Sequence, residues 1–205
     1  IGPLLHRAGS ASVPMPGGDK IGARPVNYHI HALEQMGAHV EFKEDYFHCR
    51  AEGLRGTSIT LPFPSVGATE NIIMSAVLAR GTTIIDNAAV EPEIVELMML
   101  LQKMGAVINL ETNRRIIIDG VDRLHGAEQR IVPDRIEAAS FACAAIATKG
   151  DVFVEGATQG SMMTFLNSIR RAGADFEVRD EGIRFFYKDT LRPLAIETDV
   201  HPGFM

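Results

Sequence analysis

The sequence predicts an α/β protein built of repeated β-α-β-α-β-β units, and three observations support this fold class. Segments with a helical pattern end in Met-Gly-Ala or Ala-Gly-Ala at the evenly spaced Gly37, Gly105 and Gly173. Each glycine fits the position just past a helix C-terminus, where a left-handed backbone favours glycine. After each one comes a pair of strand-like segments joined by a short polar gap, which is typical of a β-hairpin. The alternation of helices and strands predicts sheets that are backed by helices.

The three hairpins are predicted from runs of β-branched and aromatic residues. Their strands are expected at Val40–Phe42 with Phe47–Ala51, Val107–Leu110 with Ile116–Asp119, and Phe176–Val178 with Ile183–Tyr187.

A helix and a strand are predicted to precede each of the later hairpins. In the middle unit, Ser65 is expected to cap a helix that runs to about Leu78, followed by the strand Thr82–Ile85. A second helix opens at Glu91, with Pro92 in its first turn, where proline is favoured. The apolar character of Ile72–Leu78 on all sides predicts that the first of these helices is buried.

The last unit shows the same order of elements. Asp134 and Glu137 form the D-x-x-E pattern of a capping box, and the helix after them is expected to run to about Thr148 and to be stopped by Gly150. The strand Val152–Val154 and a helix opening at Ser161 follow. Because Ala138–Ala147 is apolar almost all round, this helix too is expected to be buried.

Composition excludes several classes of function. A net charge of −6 argues against nucleic-acid binding, which requires a dense basic surface. No apolar run approaches the roughly 18 residues that cross a bilayer, so no membrane insertion is expected. Cys49 and Cys143 belong to no metal-binding pattern and are expected to be buried thiols, which favours a reducing, cytoplasmic setting. The residues at both ends suggest a piece of a longer chain.

The segment 14–25 is the first candidate for chemistry, because prolines and glycines surround an acid and two cations just before a helix. One interpretation is a mobile lid that brings Asp19, Lys20 and Arg24 to an anionic substrate at the helix N-terminus. The other is an exposed turn, because Pro-Gly-Gly-Asp is common turn chemistry. Spacing alone slightly favours the turn.

The second candidate is the start of the helix capped by Ser65. The small residues Gly67 and Ala68 leave room for a phosphate against the first helical turn, although a capping serine is common in any helix. The helix opened by Asp134 is explained by capping alone. His29 and His31 lie two positions apart on a helix and point to different sides, so no metal site is expected.

Several motifs together resemble the MurA family of enolpyruvyl transferases, in the order in which that family carries them. The segments that carry the resemblance are Pro16-Gly17-Gly18-Asp19-x-Ile21-Gly22-Ala23-Arg24-Pro25-Val26-Asn27-Tyr28-His29, Ser65-Val66-Gly67-Ala68-Thr69, Asn87-Ala88-Ala89-x-Glu91-Pro92-Glu93-Ile94-Val95, Pro133-Asp134-Arg135-Ile136-Glu137 and His201-Pro202-Gly203-Phe204. Ordered motifs are more specific than any single one. The match runs along the whole chain and covers about half of the usual family length.

The resemblance implies an inside-out α/β barrel of two lobes, each with three β-α-β-α-β-β units, that close over the substrates. Residues 1–132 would belong to the lobe that carries the lid, and residues 133–205 would begin the second lobe. The implied reaction transfers enolpyruvyl from phosphoenolpyruvate to UDP-N-acetylglucosamine without a cofactor, the first committed step of peptidoglycan synthesis. Besides the two substrates, the implied partners are the missing halves of the chain's own full-length protein.

The resemblance also assigns roles to residues. Asp19 stands where most relatives carry a cysteine and would donate the proton or form a covalent adduct, which implies resistance to fosfomycin, an alkylator of that thiol. Arg24 would neutralise the phosphate of phosphoenolpyruvate. The UDP-sugar would lie along Arg24, Pro25, Val26, Asn27, Tyr28, Ser65, Val66 and Gly67.

Three departures from the family pattern bear on function. Phe63 replaces a frequent lysine, Asn27 replaces a frequent aspartate, and the aspartate that activates the sugar hydroxyl after the His-Pro-Gly-Phe motif is absent. The 205 residues alone are therefore expected not to catalyse the reaction. Two alternatives remain, a 5-enolpyruvylshikimate-3-phosphate synthase-type transferase and a non-catalytic UDP-sugar-binding paralogue.

Overall fold

The computed structural model describes residues 1–18 and 26–204. It contains two compact units, Ile1–Gln129 and Arg130–Met205, each with its own hydrophobic core. The division between them lies a few residues before Val132-Pro133, the boundary expected from the sequence. Among the described residues, none of the helices has the length and hydrophobicity needed to cross a bilayer.

The first unit alternates helices and strands. Its elements, in chain order, are α1 (Gly2–Ala8), β1 (Ser10–Pro14), α2 (Asn27–Gln35), β2 (His39–Lys43), β3 (Tyr46–Arg50), β4 (Ser58–Thr60), α3 (Val66–Ala76), β5 (Thr82–Asp86), α4 (Pro92–Lys103), β6 (Val107–Glu111), a 3-10 turn (Thr112–Arg114) and β7 (Arg115–Asp119).

These strands form two sheets. The antiparallel sheet β1-β3-β2 pairs Val40 with Cys49 across its hairpin. The second sheet has the order β4-β5-β7-β6, in which β4 runs parallel to β5 and the other pairs are antiparallel. Alternation along β7 places Ile116 and Ile118 on the inner face, where both side chains are fully buried.

The second unit repeats the arrangement of the first sheet. Its elements are α5 (Arg135–Ala147), β8 (Asp151–Glu155), α6 (Gln159–Ala172), β9 (Ala174–Arg179) and β10 (Gly182–Tyr187). The strands form an antiparallel sheet in the order β8-β10-β9, and α5 and α6 pack against it. Phe185 and Leu166 lie at the centre of this core.

The predicted repeat is confirmed. The run from β4 to β7 is one complete β-α-β-α-β-β unit, and the hairpins at β2–β3, β6–β7 and β9–β10 are those expected from the sequence. Gly37, Gly105 and Gly173 have φ values of 94°, 102° and 103°, the left-handed geometry predicted for a helix end. In the third repeat no strand is assigned before α5 among residues 120–134.

The predicted end of α5 near Thr148 is confirmed, but the residue that stops this helix differs from the prediction, and the predicted start of α6 was wrong. Lys149, with φ 56°, rather than Gly150, takes the left-handed position after α5, and the Gly150 N–H then donates to the Ala145 carbonyl at 2.7 Å. A β-carbon on Gly150 would lie 3.2 Å from Thr148 Oγ1, so a glycine at this position allows the backbone to pass close to the Thr148 side chain. Helix α6 begins at Gln159, after the N-cap Thr158, and not at Ser161.

The expectation of burial holds for α3 and fails in part for α5. Helix α3 packs against α1, α2 and α4, and Cys49 is buried nearby in the same core, as predicted. Within its own unit, α5 packs against α6, β8 and β10, so its outer face remains uncovered there. Phe141 is 53% exposed, and Cys143, predicted to be buried, is exposed as well.

Candidate functional site

The first turn of α3 presents backbone donors that have no partner within the helix. Ser65 caps this helix, and its Oγ accepts a hydrogen bond from the Ala68 N–H at 3.3 Å. In a helix each N–H donates to the carbonyl four residues earlier, so the N–H groups of Val66 and Gly67, in the first turn, have no acceptor within the helix. They can therefore donate to a ligand. This turn carries no acidic side chain that would offset the positive end of the helix dipole. The arrangement is suited to an anionic ligand.

Buried hydrogen bonds fix the position of Ser65. Thr69 Oγ1 donates to the Ser65 carbonyl at 2.8 Å and accepts from the Ala89 N–H at 3.0 Å. The side-chain amide of Asn87 donates to the Leu61 carbonyl at 2.8 Å, in the segment that leads from β4 to α3. The Asn87–Ala89 segment therefore holds the start of α3 from behind.

The N-terminal turn of α2 contributes the other part of the predicted site. Val26 is the N-cap of α2, Asn27 is exposed, and Tyr28 is half-buried against the core of the first unit. Helix α2 packs on α3, and a β-carbon placed on Gly67 would lie 3.5 Å from His29 Cε1. His29 thus contacts the first turn of α3.

Two titratable side chains near this turn have shifted pKa values. Burial is the main cause that lowers the pKa of His29 below 6.5. Glu70 lies one helical turn after Val66, and burial, with Glu93 as a second cause, raises its pKa. Because a neutral His29 ring carries no positive charge, the binding of an anion at this turn depends on the backbone N–H groups.

The structure locates only part of the site predicted from the sequence. Val26, Asn27 and Tyr28 lie at the start of α2, and Ser65, Val66 and Gly67 lie at the start of α3, and these two helices pack against each other in the first unit. The predicted catalytic residues Asp19 and Arg24, together with Lys20 and Pro25, lie outside the described residues. Within the described ranges no cluster of His, Cys, Asp or Glu side chains is arranged to hold a metal ion.

The Asp134 motif has the structural role expected for it. Asp134 Oδ1 accepts hydrogen bonds from the Ile136 N–H at 2.8 Å and the Glu137 N–H at 3.1 Å, which caps α5. Beside α5 lies a cavity of about 390 Å³, bounded by the first turns of α6 and by His201–Phe204. Thr164 Oγ1 donates to the Pro202 carbonyl at 2.8 Å and ties the His201–Phe204 segment to α6.

Three residues that shape the α3 site, His29, Thr69 and Asn87, lie in the motifs that carry the family resemblance, but no role in the site was predicted for them from the sequence. The hydroxyl of a threonine in the first turns of a helix often donates a hydrogen bond to the backbone carbonyl one turn earlier. This local pattern gives no sign that the hydroxyl of Thr69 also accepts a hydrogen bond from the Ala89 N–H. Asn87 has φ 57°, a left-handed conformation that asparagine tolerates better than most residues. The position of His29 follows from the packing of two helices and has no local sequence signal.

Comparisons with known proteins agree with this fold and with the motifs. The model of the EPSP synthase family (3-phosphoshikimate 1-carboxyvinyltransferase) matches residues 1–205. UDP-N-acetylglucosamine 1-carboxyvinyltransferase from Protochlamydia amoebophila (strain UWE25) is 54% identical over 100% of the chain, which corresponds to 46% of that relative. The enzyme of the same name from Zymomonas mobilis subsp. mobilis is 50% identical over 100% of the chain and 48% of its own length. The chain spans about half the length of the curated relatives it matches.

Solved structures support the fold class. The enolpyruvyl transferase NikO from Streptomyces tendae matches 98% of this chain and 49% of its own, with a TM-score of 0.82 and 19% identity. An EPSP synthase from Acinetobacter baumannii matches 89% of the chain and 44% of its own, with a TM-score of 0.64 and 22% identity. These likenesses confirm the predicted fold class, and the family model covers every residue. The chain therefore belongs to the EPSP synthase family.

Proposed function

We propose that this chain is part of a UDP-N-acetylglucosamine 1-carboxyvinyltransferase. The observation that carries the proposal is identity of up to 54% along the whole chain with relatives of that name. The complete protein would transfer the enolpyruvyl group of phosphoenolpyruvate to UDP-N-acetylglucosamine in the cytoplasm and so begin peptidoglycan synthesis.

A second candidate is a 3-phosphoshikimate 1-carboxyvinyltransferase. The description of the family model and the Acinetobacter baumannii structure favour it, but that structure is only 22% identical to this chain. A UDP-sugar also suits the α3 site, because the N–H groups of Val66 and Gly67 can bind its diphosphate. We therefore prefer the UDP-sugar as the acceptor substrate.

Substrate binding is proposed to use both helix starts in the first unit. The diphosphate would accept hydrogen bonds from Val66 and Gly67, with the Ser65 side chain beside it. Arg24, Pro25, Val26, Asn27 and Tyr28 would follow the rest of the UDP-sugar. Arg24 would also pair with the phosphate of phosphoenolpyruvate, because a guanidinium can donate two parallel hydrogen bonds to an oxyanion.

The proposed reaction is an addition followed by an elimination. The sugar hydroxyl gives up its proton to a base and its oxygen bonds to the enol carbon that bears the phosphate, while an acid protonates the methylene carbon, which becomes a methyl group. In the second step the methyl group loses a proton, the carbon–carbon double bond forms again, and inorganic phosphate leaves. Atoms and charge balance over the two steps without a redox cofactor.

Asp19 is proposed as the proton donor of the addition. A free aspartate has a pKa of about 3.9 and is ionised at neutral pH, so it must gain a proton before it can act. Removal from water and the nearby substrate phosphate would favour its protonated form, whereas Lys20 and Arg24 would oppose this change. The substrate phosphate, paired with Arg24, is expected to decide the balance.

The complete enzyme is proposed to need more than these residues. Residues 1–132 would contribute to the lobe that carries the lid, and residues 133–205 would begin the second lobe. The group that activates the sugar hydroxyl would come from another part of the full-length protein. The 205-residue chain alone is expected to bind the nucleotide sugar without releasing phosphate.

The test compares two ligands on the same chain by titration calorimetry. UDP-N-acetylglucosamine is expected to bind and shikimate 3-phosphate to give no heat above dilution. Phosphate release is measured in parallel with each acceptor and phosphoenolpyruvate, in this chain and in the full-length protein. Binding of shikimate 3-phosphate alone would reject the proposal in favour of the second candidate.

A further inference from the structure

Helix α5 has an apolar face that is exposed to solvent. Residues 138–148 include no charged side chain, and only the inner side of the helix, which includes Ile146, is buried against the sheet and α6. Ile136 is 58% exposed and Phe141 is 53% exposed. A helix that is apolar almost all round is expected to be buried almost all round. We call the exposed set the outer face of α5, and its members are Ile136, Ser140, Phe141, Cys143, Ala144 and Ala147.

The internal repeat shows which neighbours a helix in this position has. Three segments of the chain share one order of elements: α1-β1-α2-β2-β3, α3-β5-α4-β6-β7 and α5-β8-α6-β9-β10. Helix α3, which corresponds to α5, packs on α4 of its own segment and also on α1 and α2, the two helices of another segment. Among the described residues of the second unit, α5 has α6 as its helix neighbour. The neighbours that correspond to α1 and α2 are not found in that unit.

The outer face has the shape and chemistry of a surface that packs against helices. The small residues Ser140, Ala144 and Ala147 follow one another at helical spacing, which allows the backbone of another helix to approach closely. Ser140 Oγ donates to the Ile136 carbonyl at 2.9 Å, so its hydroxyl needs no partner from a second helix. The cavity of about 390 Å³ beside α5 is lined by Ile136 and by Phe165 of α6, and it has room for apolar side chains of a helix docked there.

We propose that the outer face of α5 is the surface on which the two helices of another β-α-β-α-β-β unit dock, and that this unit belongs to a part of the full-length protein outside these 205 residues. The chain spans about half the length of its curated relatives, which leaves room for further units. A single unit of a repeat cannot bury its apolar face alone and requires a neighbouring unit. A second copy of the chain is disfavoured as the occupant, because each copy carries a net charge of −6.

This inference rests on the proposed function only in one respect, because it takes the chain to be part of a longer protein. It does not depend on the substrate.

Cys143 makes the coverage of the outer face measurable, because alkylation of a thiol requires that the reagent reach it. Alkylation by iodoacetamide, followed by peptide mass spectrometry, is compared between the folded 205-residue chain and the folded full-length protein. Cys143 is expected to react at least about tenfold more slowly in the full-length protein, where the reaction requires local opening. The buried Cys49 should react slowly in both proteins. Glu181→Cys, in the exposed β9–β10 turn, should react equally fast in both.

The outcomes of this experiment are distinct from those of the substrate test. Equal rates at Cys143 in the two proteins would overturn the inference. Slow alkylation already in the 205-residue chain, together with the sedimentation of a dimer, would overturn it as well, because a second copy would then cover the face. If Cys143 is protected in the full-length protein but UDP-N-acetylglucosamine does not bind, the proposed function fails and the inference stands.

A charge variant tests the same surface through stability. Ala144→Arg is expected to leave the urea midpoint of the 205-residue chain unchanged, because the new side chain extends into water. In the full-length protein the same substitution is expected to lower the midpoint, because it places a charge inside a packed interface. Ala144→Ser is the matched control and should change the midpoint less. An unchanged midpoint in the full-length Ala144→Arg variant would show that the outer face stays exposed, which would overturn the inference.

Discussion

Asp19 is the proposed source of the proton that the addition step requires. Positioned general acids contribute about 100- to 10,000-fold to a rate. In the full-length protein, Asp19→Ala is therefore expected to lower kcat by a factor in this range, and Asp19→Cys is expected to retain activity. Steady-state kinetics with both substrates measure the effect. Normal turnover by Asp19→Ala would show that the proton comes from another group.

The same residue predicts the response to fosfomycin, because a carboxylate is a poorer nucleophile than a thiolate. The parent full-length protein is expected to remain active and unmodified at residue 19, and Asp19→Cys is expected to become sensitive. Peptide mass spectrometry distinguishes labelling at position 19 from labelling at the exposed Cys143. Stoichiometric labelling of Asp19 would contradict this view of its chemistry.

His29 predicts how stability depends on pH. Its pKa is lowered from 6.5 by burial first, so the folded chain favours the neutral ring more than the unfolded chain does. Its contribution to stability is therefore complete above pH 6.5 and is lost as the pH falls through the lower, folded pKa. The His29 ring proton, followed by NMR, should titrate below pH 6.5.

The control for this prediction is His29→Asn, which removes the titrating group. Its free energy of unfolding should fall less steeply than that of the parent as the solution is acidified below pH 6.5. A His29 midpoint at or above the ordinary value would show that the ring is not buried against α3 in solution.

At the scale of elements, the start of α3 depends on Thr69. Thr69→Val keeps the shape of the side chain but leaves the buried Ala89 N–H without its acceptor. The free energy of unfolding should fall by about 1 to 3 kcal/mol, the cost of an unsatisfied buried polar group. Urea denaturation measures it, and Thr69→Ser, which keeps the hydroxyl, should lose less.

The binding site should respond to the same substitution. Because Thr69 also bonds to the Ser65 carbonyl, Thr69→Val is expected to weaken UDP-N-acetylglucosamine binding at a temperature where the variant is fully folded. Stability and affinity that both match the parent would show that the bond between Thr69 and Ala89 is dispensable.

The elements that could be predicted from the sequence are those with a local physical signal. The glycines that end helices, the serine and aspartate caps, and the alternation of apolar residues in the hairpins each act within a few residues. The predictions that failed depended on tertiary packing. Whether Cys143 is buried is decided by what covers α5, and the left-handed turn at Lys149 follows from the close approach of Gly150 to Ala145.

The candidate site shows the same limit. Ser65 and Gly67 could be named from the sequence because a capped helix start with small residues favours anions, whereas Val66 was added by the family resemblance. His29 and Thr69 could not, because their contacts arise where α2 and the loop before α4 meet α3. The roles of Asp19 and Arg24 rest on resemblance to a family, since their spacing alone slightly favours an exposed turn.

At the scale of the whole molecule, the chain joins two units of one repeated design and spans about half the length of its relatives. The first unit contains the described residues of the candidate site, from α2 and α3. Nucleotide-sugar binding should therefore be a property of this unit, whereas turnover should require the full-length protein.

The measurement that tests the central claim most directly is an amide NMR titration of the chain with UDP-N-acetylglucosamine. The claim predicts that the N–H signals of Val66 and Gly67 shift in a saturable manner, while those at the start of α6, near Gln159, stay in place. The same titration with shikimate 3-phosphate should leave all of these signals unchanged. Saturable binding of the sugar nucleotide that leaves Val66 and Gly67 unperturbed would contradict the account.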